Sequence, residues 1–279
     1  MKKNLIYLPI LLFIILLFIN YNIVLDSTIL ATNIWLYKVF PYLFIMIIIN
    51  NVLINLNFYQ IFKNPSSYIL IMSILSGSPT SAVIISNLYI NKIIDKNYAN
   101  TSLLFAYFAN PLFLYTILNS IFKDNYITIK IIIIHYISNL FIYFINKKKL
   151  NIYSINEYKN LTFNLSNSIK ESINTNLMVL GAIIFYLVIS NIIINTFNMP
   201  YYLSLLFRGL LEMTQGLNFL INNKVIYKEV FTIIFLSFGG LSIHTQVKCI
   251  LDEVNLKYIN FLKGRIMQVI ISLILTCVF

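Results

Sequence analysis

Apolar runs recur along the chain at residues 5–19, 36–56, 98–121, 126–146, 176–197 and 262–279. Crossing a bilayer core takes roughly 20 mainly apolar residues, and several of these runs reach that length without an internal acid. They predict an all-α polytopic membrane protein. Residues 67–91 and 201–226 are equally long but are interrupted by polar or glycine-rich stretches, which predicts helical hairpins that enter and leave on one side.

Charge decides how often the chain crosses. With two re-entrant hairpins there are about seven crossings, and 14 of the 20 basic residues, the run Lys147–Lys149 and Arg265 among them, fall in the cytoplasm with Lys2 and Lys3. If residues 67–91 spanned instead, the triple-lysine run would lie outside, against the positive-inside bias. Residues 5–24 are then a first transmembrane helix, retained because no small-residue cleavage site follows the apolar run.

The two halves repeat one plan. Each has an apolar span, a hairpin with a small or polar tip (Gly77–Ser81; Gly209–Gly216), an interrupted span (Asn110-Pro111; Gly239-Gly240) and a closing span. The offsets agree: 209 − 77 is 132 and 239 − 110 is 129. Repeat 1 covers residues 35–146 and repeat 2 residues 173–279. Three crossings per half would invert one copy relative to the other, an arrangement that puts a solute site where discontinuous helices meet near the midplane. Residues 147–172 form the cytoplasmic linker, with 161–173 suited to an amphipathic surface helix.

Composition changes this picture little. Net charge is +11, but no basic stripe interleaves with aromatics, so the lysines read as orientation charges facing lipid head groups and no nucleic-acid partner is expected. Cys249 and Cys277 fit no metal or redox spacing. No metal-ligand histidine pair, phosphate-binding glycine loop or paired carboxylates in a span occurs, so no enzyme and no cofactor is expected.

Candidate chemistry gathers at the four interruptions. The first tip offers Gly77, Ser78, Thr80 and Ser81 at a helix start that Pro79 can open, where free N–H groups and the helix dipole suit an anion. Hydroxyls capping a plain helix break are the blander reading. Asn110 precedes a proline that frees a carbonyl, which alone means a kink and in a paired break means a site. In the second tip, Arg208 and Glu212 are four residues apart, one helix face. They read as an internal ion pair, or as an anion-binding arginine, or as a carboxyl that takes a coupling proton; Thr214 and Gln215 lie beside them. Ser237, Gly239, Gly240, Ser242, His244 and Gln246 combine a flexible break with hydroxyl, imidazole and amide groups. His135, alone in an apolar span, reads as a structural hydrogen-bonder.

Four segments, Gly77–Ala82 (GSPTSA), Ala109–Phe113 (ANPLF), Gly209–Gly216 (GLLEMTQG) and Ser237–Val247 (SFGGLSIHTQV), resemble the YlbJ-type sporulation integral membrane proteins. That group belongs with the nucleoside-recognition, or Gate-domain, proteins and is similar to concentrative nucleoside transporters. The resemblance runs from about Trp35 to the end, with Ser78 and Ser81 where a bulkier apolar residue and a second glycine are usual. It implies transport of dipicolinic acid, a small aromatic dicarboxylate, from the mother cell across the outer forespore membrane. A nucleoside or another small metabolite carrier is the alternative within that class, and a non-transporting scaffold for spore assembly is the alternative outside it. The coupling ion, H+ or Na+, and an oligomeric state stay open at this stage.

Overall fold

The computed structural model describes residues 4–62, 64–150 and 164–279. These are helical with no strand among them, and five helices are long and apolar enough to cross a membrane: Tyr21–Asn55, Asn125–Leu150, Leu165–Thr196, Lys228–Glu253 and Tyr258–Val278.

The N-terminal part is cut differently from the sequence expectation. Helix α1 (Asn4–Ile19) stops where the Asn20 side-chain amide turns back to donate to the Leu16 carbonyl at 2.9 Å. Helix α2 (Tyr21–Ile34) then runs through a π-helical turn, Trp35–Val39, into α3 (Phe40–Asn55) without a break. So residues 21–24, expected at the end of a first span, open the second helix instead. The π turn has a local cause: Pro41 lacks an N–H and crowds the carbonyl four residues back, and one wider turn absorbs both defects.

Two short helices follow, α4 (Pro65–Ser76) and α5 (Thr80–Ile90), then α6 (Lys96–Ser102). The chain is irregular from Leu103 to Asn110 before α7 (Pro111–Phe122). The apolar run 98–121 is therefore two short helices around a long gap. Helix α8 (Asn125–Leu150) includes the Lys147–Lys149 run as its last turn.

Helix α9 (Leu165–Thr196) corrects the linker. Residues 165–173, expected to lie on the cytoplasmic surface, are its first turns: no breaker interrupts them, and they pack on α3, with Ser172 Oγ donating to the Phe44 carbonyl at 2.8 Å and Asn51 donating to Glu171 Oε2 at 2.7 Å. Residues 151–163, which hold the rest of the expected linker, lie outside the described residues. The chain closes with α10 (Tyr201–Leu211), α11 (Met213–Asn222), α12 (Lys228–Phe238), α13 (Gly240–Glu253) and α14 (Tyr258–Val278).

Helix α8 shows which solvent the fold is built for. Its exposed face carries Ile129, Ile133, Ile137, Phe141 and Phe144, while His135, Ser138, Asn139 and Asn146 are buried. Apolar outside and polar inside inverts the pattern of a soluble helix, and it suits a chain whose surroundings are hydrocarbon.

Candidate functional site

Each hairpin tip rests on the broken helix that follows it. In the first, Gly77 takes φ +74°, and a Cβ there would stand 3.1 Å from the Asn110 nitrogen and 3.2 Å from the Phe108 oxygen, so only glycine lets the tip lie this close. The Ser78 N–H donates to the Phe108 carbonyl at 3.0 Å. Asn110 caps α7, its Oδ1 accepting from the N–H groups of Leu112 (2.8 Å) and Phe113 (3.2 Å), and its amide reaches the Leu75 carbonyl at 3.3 Å.

The gap between α6 and α7 leaves backbone groups that hydrocarbon cannot satisfy, and side chains from α8 and α14 take them. The Ala109 N–H donates to His135 Nε2 at 3.1 Å, Tyr136 Oη donates to the Ala109 carbonyl at 3.0 Å, and Asn139 donates to the Tyr107 carbonyl. His135 is thus the structural hydrogen-bonder expected of it. Arg265 donates to the Leu104 carbonyl at 3.4 Å. Helix α14 comes that near because residue 264 is glycine: a Cβ there would overlap the Leu104 carbonyl.

The second tip holds a correction. Helix α10 ends at Leu211, and Glu212 is extended (φ −137°, ψ 109°), so Arg208 and Glu212 do not share a helix face. Glu212 instead caps α11: its Oε2 accepts from the Gln215 N–H at 2.8 Å and from the Thr214 hydroxyl. Arg208 donates to Asn191 Oδ1 at 2.9 Å and lies over the Phe219 ring. Among the described residues the ion pair that forms is Lys130–Glu229, at 3.0 Å, and not Arg208–Glu212.

The second break is short. Gly239 ends α12 in the left-handed region (φ +88°), and Gly240 (φ +72°) has no room for a Cβ, which would meet the Met213 nitrogen at 2.9 Å. His244 closes the gap, with Nε2 3.0 Å from the Phe238 carbonyl and Nδ1 2.7 Å from Tyr258 Oη. Since the carbonyl only accepts, Nε2 carries the proton and Nδ1 accepts from the tyrosine.

Between the tips lies a cavity of about 540 Å3. Gly77, Ser78, Asn110, Glu212, Thr214 and Gln246 line it, so both hairpins and both broken helices contribute to one space. The remaining expected residues stand elsewhere. Thr80 and Ser81 are buried in α5, and Gln215 donates to Asn191 at 2.6 Å. Ser237 bonds Ser272 at 3.1 Å, and Ser242 accepts from Gln246 at 3.1 Å. Gly239, Gly240 and His244 build the break without lining the space. Arg208 belongs to a second cavity, about 230 Å3, with Asp26, Ser27, Asn191 and Asn195.

The sequence reading missed several wall residues: Lys38 and Tyr42 beside Pro41, Tyr107 and Phe108 in the gap, and Met213. The proline at 41 and the polar ring of Tyr107 amid small and apolar neighbours were the available signals. Two acids that it did not single out, Asp26 and Glu171, lie in span-length helices. Comparison of the chain with protein-family models, with curated proteins and with solved structures finds no match.

Proposed function

We propose that this chain is a membrane transporter of a small organic solute, bound in the larger cavity, with seven crossings, two re-entrant hairpins and two inverted repeats. The observation that carries the reading is a single cavity walled by both hairpin tips and both broken helices. Irregular backbone at membrane depth is tolerated where protein buries it or where it faces a watery space, and here protein buries the second break while the first lines the cavity.

The element order supports the topology. A long helix, a hairpin of short helices, a broken helix and a long helix occur as α3 to α8 and again as α9 to α14. Helices of 10 to 12 residues, as in both hairpins, reach only about 15–18 Å, too short to cross. Counting α1, α2–α3, α6–α7, α8, α9, α12–α13 and α14 then gives the seven crossings, with Lys2 and Lys3 cytoplasmic.

For substrate, the resemblance to the YlbJ-type proteins favours dipicolinate, delivered across the outer forespore membrane. Aromatic and apolar walls with a few convergent hydroxyls and amides suit a small ring bearing polar substituents. The same neutral groups, Ser78, Asn110, Thr214 and Gln246, also suit a nucleoside, which is the second reading. Glu212 is the carboxylate that faces the space and the group available to a coupling proton.

Purified protein in liposomes decides between these. Labelled dipicolinate should enter under an imposed H+ or Na+ gradient, and Glu212→Gln should cut uptake by about tenfold or more. Uptake of nucleoside in preference to dipicolinate would select the second reading. Movement of neither under any gradient would leave a scaffold role.

A further inference from the structure

Arg265 has no exposed surface, although the charge pattern of the sequence places it among the cytoplasmic basic residues. Its guanidinium lies 4.2 Å from the centre of the Tyr107 ring and 5.3 Å from that of Phe261. It donates to Gln268 Oε1, to Asn139 Oδ1 at 3.3 Å and to the Leu104 carbonyl at 3.4 Å, and its Nε has no partner among the described residues. Every acceptor is neutral, and among the described residues no carboxylate comes within ion-pair distance. A full charge buried this way is costly, and a neutral amide would cap the Leu104 carbonyl without that cost. Hydrogen bonding alone therefore does not account for an arginine.

Tyr107 connects the charge to the cavity. The ring that Arg265 covers is part of the cavity wall, together with Glu212 and Met213. Its position is fixed: the hydroxyl stands 3.8 Å from Met213 Sδ, and a Cβ on Gly239 would come within 2.6 Å of it. Arg265 is thus held one aromatic ring behind the wall, in surroundings that screen charge weakly. The charges on the wall itself are Lys38, at an exposed position, and Glu212. With Arg265 added, two cations face one carboxylate.

We propose that Arg265 is the countercharge of this cavity and sets its preference for an anionic solute over a neutral one of the same shape. It acts through Tyr107 and does not touch the solute, so it is a positioning residue in the electrostatic sense. The proposal rests on the reading of the cavity as the transport site.

The test compares two solutes of nearly the same shape, one a dianion and one neutral, pyridine-2,6-dicarboxylate and pyridine-2,6-dicarboxamide, in liposomes holding wild-type protein, Arg265→Gln or Arg265→Lys. Arg265→Gln should lower the dianion-to-diamide ratio of kcat/KM by roughly tenfold, mainly through a higher KM for the dianion, and Arg265→Lys should stay within about threefold. Arg265→Met, a second neutral replacement, should lower the ratio alike, which removes dependence on the glutamine variant's folding. An equal loss for both solutes, or an unchanged ratio in the folded Gln and Met variants, would make Arg265 a backbone cap and overturn the proposal. If wild-type protein moves neither solute, the transport reading fails separately. Equilibrium binding of the two solutes to detergent-purified wild type and variants then reads the same ratio, and absence of dianion preference in wild type overturns the proposal too.

Discussion

The two helix breaks solve one problem at different scales. Between α12 and α13 the break is two glycines: Gly239 closes α12 by donating its N–H to the Phe235 carbonyl at 2.8 Å, and His244, six residues beyond Phe238, takes the freed carbonyl there. Between α6 and α7 the chain is irregular from Leu103 to Asn110, and its polar groups are met by His135, Tyr136 and Asn139 of α8 and Arg265 of α14. A short break is closed by the chain's own next turn. A long one has to import partners, and that is why α8 and α14 carry polar side chains toward the interior. The first half is therefore the one where a distant substitution disrupts the site.

The largest effect should come from the contact that brings α14 to the gap. Gly264→Val drives a side chain into the Leu104 backbone, which has no flexible end to give, and should remove the folded protein, a cost of about 3 kcal/mol or more. Gly181, with no atom within 4 Å of a new Cβ, is the control: Gly181→Ala should leave the monodisperse peak in size-exclusion chromatography intact. Equal loss from both would dissolve the distinction.

Next come the two histidines. His135→Leu orphans the Ala109 N–H, which has a single proton to place, and should cost about 2–3 kcal/mol. His244→Leu leaves a carbonyl, whose absence of a partner is better tolerated, and should cost about 1 kcal/mol. Thermal unfolding in detergent ranks them, and the reverse order would mean that the short break is the more dependent one. Between the two histidines, Gly77→Ala and Gly240→Ala should each cost about 1–2 kcal/mol in the same measurement, since both glycines have positive φ and face backbone.

How much of this was readable in the sequence follows from where each signal sits. Asn110-Pro111, Gly239-Gly240 and the tip at Gly77 are breakers by their own chemistry, and the chain does break there. The gap's extension back to Leu103 has no local mark, because Leu103 to Phe108 is apolar and its stabilising partners lie some 30 to 160 residues away. Arg265 was counted among the cytoplasmic charges; its burial depends on Gly264, whose meaning appears only when α14 is placed against Leu104. The Arg208–Glu212 face presumed a continuous helix, and the helix ends one residue too soon.

Arg208→Ala should have the smallest effect, and it tests the boundary between cavity wall and scaffold. Arg208 opens onto the second cavity, and its bond to Asn191 is one of two made to the same oxygen. With the arginine gone, Gln215 still donates to that oxygen at 2.6 Å and Asn191 still donates to Ser27 at 2.8 Å, so no buried acceptor is orphaned. The lost hydrogen bond is offset in part by removing a half-buried cation that forms no ion pair among the described residues. Solute uptake should stay within about twofold of wild type, as for other substitutions outside a binding wall. A folded Arg208→Ala protein that loses uptake would place the second cavity, with Asp26 and Asn195, on the solute's path, and would move the positive charge the solute meets from behind Tyr107 to the α9–α10 side.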